Sequence, residues 1–131
     1  MRYLGVDYGL KKVGLAHSEG QIASPLKVIE INSLTDAVNK ILHIIKQEGI
    51  DRVVIGVPDS GESKSAVKKF ISSLKIKLKD SQVSVIEADE TLTSSSAKDL
   101  MIDLNLGKDA RKKEDAYSAS LILQNFLDSI A

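Results

Sequence analysis

The run Arg52-Val53-Val54-Ile55-Gly56-Val57 leaves this chain few folds to choose from. It is apolar without alternation, and turn signals bound it: Gly49 before, Pro58-Asp59-Ser60-Gly61 after. An alternating strand buries one face, whereas a continuous apolar strand buries both. Helices must then cover both sides of the sheet that holds it. The flanking segments supply them. Leu34, Ala37, Val38, Ile41, Leu42 and Ile45 fall at offsets of three and four, with Ser33 as N-cap and Gly49 as the stop. Beyond the run, Val67, Phe70, Ile71, Leu74 and Leu78 form a second helical stripe, and Val83–Ala88 reads as a further strand ending in Asp89-Glu90.

Upstream, the period is that of strands. Leu4-Gly5-Val6-Asp7 is a strand ending in a carboxylate, Gly9 with Lys11-Lys12 makes a turn, and Lys12–His17 returns. Ser18-Glu19-Gly20-Gln21 turns the chain again into Leu26–Ile31. The strand glycines Gly5 and Gly14 suggest a bulge or a place where another backbone or a ligand comes close. Downstream, Thr93–Asp103 has helical spacing, residues 105–113 form a glycine-broken basic loop, and a last helix starts at about Glu114. The order predicts one α/β domain over residues 1–131 with a mixed five-stranded sheet. The first three strands are antiparallel, the first, fourth and fifth are parallel, and helices lie on both faces. Ligands of such sheets bind outside the carboxyl ends of the strands. Asp7, the loop after Val57, and Glu90 all fall there.

Composition narrows the chemistry. Eighteen basic residues balance eighteen acidic ones, so nucleic-acid binding would need local clustering rather than a global field. There is no cysteine, which removes disulfides, thiolate zinc sites and cysteine nucleophiles. No stretch approaches the roughly 20 apolar residues of a membrane span, so a cytoplasmic protein without membrane contact is expected.

Three carboxylates stand out, each with a plain structural alternative. Asp7 could be a turn aspartate bonding its own loop. Glu90 could be a solvated strand end. Asp115 precedes Ala119, Ile122, Leu123 and Phe126 at helical offsets, which puts a charge on the inward stripe of the last helix. A charge there needs a partner, a metal or the helix N-terminus. Three converging carboxylates would repel one another, and a hard divalent cation would relieve the repulsion. Oxygen ligands without cysteine suit Mg²⁺ or Mn²⁺. Two such ions about 3.5–4 Å apart can activate water and stabilise the leaving oxygen of a phosphodiester.

Four segments then appear in order: Val6-Asp7-Tyr8-Gly9-Leu10-Lys11-Lys12-Val13-Gly14-Leu15-Ala16, Ile55-Gly56-Val57-Pro58, Asp89-Glu90-Thr91-Leu92-Thr93-Ser94 and Glu114-Asp115-Ala116. Together they resemble the YqgF/RuvX family of pre-16S rRNA nucleases, RNase H-like proteins related to Holliday junction resolvases. The resemblance spans essentially the whole chain. It implies an RNase H-like fold, with Asp7, Glu90 and Asp115 as catalytic, metal-binding carboxylates that hold Mg²⁺ or Mn²⁺, two ions when substrate is bound. It also implies a metal-dependent endonuclease acting on structured RNA at the 5′ end of pre-16S rRNA, within the pre-ribosomal particle. The chain departs from the family pattern at Thr91, where an arginine is usual, and in the shortened loop Asp59-Ser60-Gly61-Glu62. Cleavage of branched DNA and a non-catalytic RNA-binding assembly role are the alternatives. A monomer or weak homodimer is expected.

Lys11 and Lys12 sit just beyond Asp7, while Lys108, Arg111, Lys112 and Lys113 precede Asp115. With Lys64 and Lys68 on the second helix, these are the candidate phosphate contacts. The chain has three tyrosines, two phenylalanines and no tryptophan, so it is no base-stacking platform of the usual single-strand-binding kind. Tyr8 is the aromatic to test for stacking. His17 and His43 read as structural.

Overall fold

A computed structural model describes residues 1–89 and 114–131, with the side chains of Glu114 and Asp115 outside that description. The elements run β1 (Tyr3–Tyr8), β2 (Lys12–Ser18), β3 (Ser24–Glu30), α1 (Leu34–Glu48), β4 (Arg52–Val57), α2 (Gly61–Lys77), β5 (Ser84–Asp89) and α3 (Glu114–Ile130). They build a five-stranded sheet in the order β3-β2-β1-β4-β5. β1–β2 and β2–β3 are antiparallel, and β1–β4 and β4–β5 are parallel, as the sequence pattern predicts. The predicted helix over Thr93–Asp103 and the basic loop at 105–113 lie outside the described residues.

β4 fulfils the requirement set by its apolar run. Val53 and Ile55 enter the core shared with α1 and α2, while Val54 enters the core beneath α3. All three are fully buried. α1 begins where the Ser33 hydroxyl accepts from the Asp36 N–H at 3.1 Å, and Asp36 in turn accepts from the Asn32 N–H at 2.9 Å. These bonds satisfy orphan donors at the helix start. It ends at Gly49, whose φ of 62° is left-handed and favours glycine. β3 starts earlier than its apolar pattern suggests, at Ser24, and contains Pro25. An edge strand tolerates a proline because its outward N–H needs no ladder partner. α2 takes in Gly61, although the turn signal Pro58-Asp59-Ser60-Gly61 predicts it in the preceding loop.

Strand periodicity assigns the faces. Leu4 and Val6 of β1 point into the α1/α2 core, so Tyr3, Gly5 and Asp7 point toward α3. Tyr3 packs on Phe126, ring centroids 6.1 Å apart. A Cβ added to Gly5 would lie 2.8 Å from both the Ala119 carbonyl oxygen and the Leu123 Cβ. The strand glycine therefore does mark a close backbone approach. Its absent side chain lets α3 lie directly on the sheet.

Candidate functional site

The three parallel strands end on one rim, at Tyr8, Val57 and Asp89. Asp7 is half-buried on the α3 face of that rim. Across the β1–β2 ladder it faces Gly14. One further step along the β1–β4 register, past Val6 and Ile55, puts Gly56 beside it, and Gly56 pairs with Ala88 on β5. The Asp7 carboxylate thus stands among residues with little or no side chain on its own face. Bulk at those positions would fill the space that an ion and a phosphate need.

α3 runs antiparallel to β1: Phe126 meets Tyr3 near one end of the strand, and Ala119 meets Gly5 in its middle. Asp115 is the second residue of that helix, one turn before Ala119. Glu90 follows the last residue of β5 and lies outside the described residues, as do Thr91, Lys108, Arg111, Lys112 and Lys113. Among the described residues, no three His, Cys, Asp or Glu side chains are grouped to hold a metal.

Lys11 and Lys12 are exposed at the β1–β2 turn, next to the rim. Lys64 and Lys68 also reach the rim, on its α2 side, where a cavity of about 300 Å³ opens between Asp59, these lysines, Glu87 and Asp89. Both are engaged. Lys64 donates to the Asp59 carbonyl at 3.3 Å, and Lys68 is ion-paired with Glu87. The Lys68 hydrogen bond, and then the fields of Lys68, Lys75 and Lys64, hold the Glu87 carboxyl below the usual carboxylate range. The sequence reading missed Glu87. The signal was there, since alternation from Val85 puts it on the α2 face, one strand step from the rim.

One ring face of Tyr8 is already taken. Its ring stacks on fully buried Phe70, centroids 4.5 Å apart and 16° from parallel. That face is occupied by the core and is not offered to a base. Partial burial also pushes the phenol pKa up. His17 is half-buried in β2 and His43 exposed on α1, both well away from the parallel-strand rim.

A family model described as "RuvX: Holliday junction resolvase" matches residues 1–129. A Desulforudis audaxviator protein named "Putative pre-16S rRNA nuclease" is 35% identical over 98% of this chain and 95% of its own length. Its Bacillus cereus counterpart, with the same name, is 34% identical over 98% and 99%. Among solved structures, Thermus thermophilus RuvC bound to a Holliday junction superposes with a TM-score of 0.68 at 13% identity, covering 99% of this chain and 95% of that one. The fowlpox virus Holliday junction resolvase gives 0.66 at 15% identity, with both chains fully covered. At such identities, these two structures bear on the fold alone.

Proposed function

The chain belongs to the RuvX family, and from that premise we propose that it is a metal-dependent endonuclease that cleaves structured RNA at the 5′ end of pre-16S rRNA. Asp7, Glu90 and Asp115 are the residues that would hold Mg²⁺ or Mn²⁺. The observation that carries this reading is the seating of α3. The helix lies antiparallel on β1 with Ala119 against Gly5, so the backbone of its first turn, which includes Asp115, lies toward the Asp7 end of the strand. Glu90 follows β5, whose Ala88 is paired with the Gly56 that adjoins Asp7. The donor set fits the ion: carboxylate oxygens with no thiolate, in a slot walled by Gly14, Gly56 and Ala88.

Each residue has a definable task. Asp7 supplies a half-buried carboxylate on a strand fixed by ladders on both sides, so its oxygens are held without reorganisation. Asp115, in the first turn of α3, has its negative charge stabilised by the positive end of the helix dipole. Glu90, the next residue in the chain after β5, would complete the set. The ions, when bound, supply the Lewis acidity that activates water and stabilises the departing oxygen. Lys11 and Lys12 would contact phosphates flanking the scissile bond, as would Lys108, Arg111, Lys112 and Lys113, which precede Asp115 in the chain. Lys64 and Lys68 would do so on the α2 side after exchanging their present partners for phosphate.

The test combines cleavage with metal binding. Asp7→Asn, Glu90→Gln and Asp115→Asn should each lower cleavage of a pre-16S leader RNA by more than about a hundredfold. Loss of an outer-shell partner alone costs 10–100-fold. Calorimetry with Mn²⁺ should show weakened binding in the same variants, with unfolding midpoints kept. Retained turnover in Asp7→Asn would remove the mechanism. Faster cleavage of a four-way DNA junction than of the RNA would transfer the activity to branched DNA. Metal binding indifferent to all three substitutions would favour a non-catalytic assembly role.

A further inference from the structure

The β1–β2 turn does more than reverse the chain. The Gly9 N–H donates to the Lys12 carbonyl at 3.0 Å, and the Lys11 carbonyl accepts from the Ile31 N–H at 2.9 Å, so the tip is tied both to itself and to the chain just beyond β3. A Cβ on Gly9 would come within 2.7 Å of the Lys12 carbonyl oxygen, which keeps this turn tight. On the rigid tip stands Leu10, 75% exposed, followed by exposed Lys11 and Lys12. Single exposed leucines are ordinary, and exposure alone says nothing. Position distinguishes this one. Of the large exposed hydrophobics among the described residues, Met1 and Ile130 border the opposite end of the molecule, Ile22 lies in the β2–β3 turn, and Ile76 is in the last turn of α2. Among these described residues, Leu10 alone stands beside the rim where Asp7 lies, three residues after it. The neighbouring aromatic, Tyr8, has one ring face taken by Phe70.

We propose that Leu10 is an apolar base contact: it presses against, and partly unstacks, a nucleobase next to the scissile phosphate, while Lys11 and Lys12 hold the phosphates on either side. This rests on the nuclease reading and adds to it the element that opens structured RNA at the cut. Apolar side chains wedged at a base step unstack it, and a rigid support is what lets them do so without yielding. Two lysines next to an apolar tip match the alternation of charge and base along a nucleic-acid strand. The hairpin also shares β1 with Asp7, so a base held at the tip fixes its phosphate relative to the carboxylate.

Fluorescence anisotropy on a stem–loop RNA with a single-stranded 5′ extension, between about 50 and 200 mM salt, separates the apolar part from the ionic part. Leu10→Ser should weaken binding about tenfold, equivalent to roughly 1.4 kcal/mol. The slope of log affinity against log salt should not change. Leu10→Phe should restore binding, and Lys12→Ala should flatten the slope by about 0.7–0.9. Leu10→Ser binding like the wild type at every salt would overturn the proposal, as would a loss that tracks salt. Unfolding midpoints control for structure. The two readings fail separately: normal cleavage by Asp7→Asn with weakened binding by Leu10→Ser removes the catalytic assignment and leaves the base contact. The reverse pattern removes only the base contact. Wild-type protein that binds no RNA removes both.

Discussion

On one face of the sheet, α1 and α2 press large aliphatic side chains and Phe70 into a layer where Leu4, Leu15, Ile41, Ile55 and Leu74 are fully buried. On the other face, α3 meets the strands through Gly5, Ala16 and Ala119, close enough that one added methyl group would collide with the helix backbone. The first face is packed by large side chains throughout, while the second has its own side-chain core around Tyr3, Val54, Ile122 and Leu123 but at Gly5 brings the helix backbone itself against the sheet. Asp7 lies on the second. At Gly5 there is no side chain whose rotation could absorb a shift of the helix. Lost volume on the first face and added bulk at Gly5 on the second should therefore have different consequences for Asp7.

That division can be broken by experiment. Leu74→Ala removes a fully buried side chain of α2, on the far side of the sheet from Asp7. It should cost about 2–5 kcal/mol in chemical denaturation. Mn²⁺ affinity of the folded protein should stay within about twofold, because substitutions at distant sites act independently. An affinity loss comparable to the stability loss would show that the two faces are not separable.

The complementary substitution is Gly5→Ala. The added Cβ meets a backbone carbonyl and a Cβ at 2.8 Å, neither of which can rotate away. Overpacking of this kind costs about 1–3 kcal/mol. α3 must rise or slide, and the first turn that carries Asp115 moves with it relative to Asp7. Mn²⁺ affinity should therefore fall more than in Leu74→Ala, although the loss of stability is smaller. One clamp resists the sliding. Gln124 accepts from the Ala23 N–H and donates to the Gln21 carbonyl, both at 2.9 Å, pinning α3 to the β2–β3 turn. If Gly5→Ala lowers the unfolding midpoint while leaving metal affinity untouched, proximity is not what sets the carboxylate spacing.

Much of this asymmetry was legible in the sequence. The unbroken apolar run of β4 required helices on both faces, Ser33 and Gly49 bounded α1, and Gly5 announced a close approach. Each is a local signal, although the strand glycine fitted a bulge or a ligand as well as a backbone approach. The partner of Tyr8 was not legible, because a stack on Phe70 depends on the crossover that brings α2 over β1. The start of β3 was hidden by Pro25, which breaks a central strand but not an edge one. Of the candidate carboxylates, the described residues place Asp7 on the rim and the backbone of Asp115 in the first turn of α3. Glu90 rests on the order of motifs in the chain.

The smallest test concerns charge on the thick face. Glu87 is paired with Lys68 and lies in the fields of Lys75 and Lys64, so its folded pKa is depressed. Its contribution is therefore present above the unfolded glutamate's pKa, roughly 4.3, and is lost as pH falls through the lower folded value. Both partners are more than a third exposed, which screens the pair to about 0.2–1 kcal/mol. Glu87→Gln should be less stable than wild type by that amount at pH 7, and the gap should close on acidification below pH 4 or so. Added salt should narrow it as well. Mn²⁺ affinity should not move, since Glu87 points toward α2 and Asp7 toward α3. A Glu87→Gln protein with altered metal binding would mean that the rim is electrostatically continuous across the sheet, and that glycine-set spacing on the α3 face does not act alone.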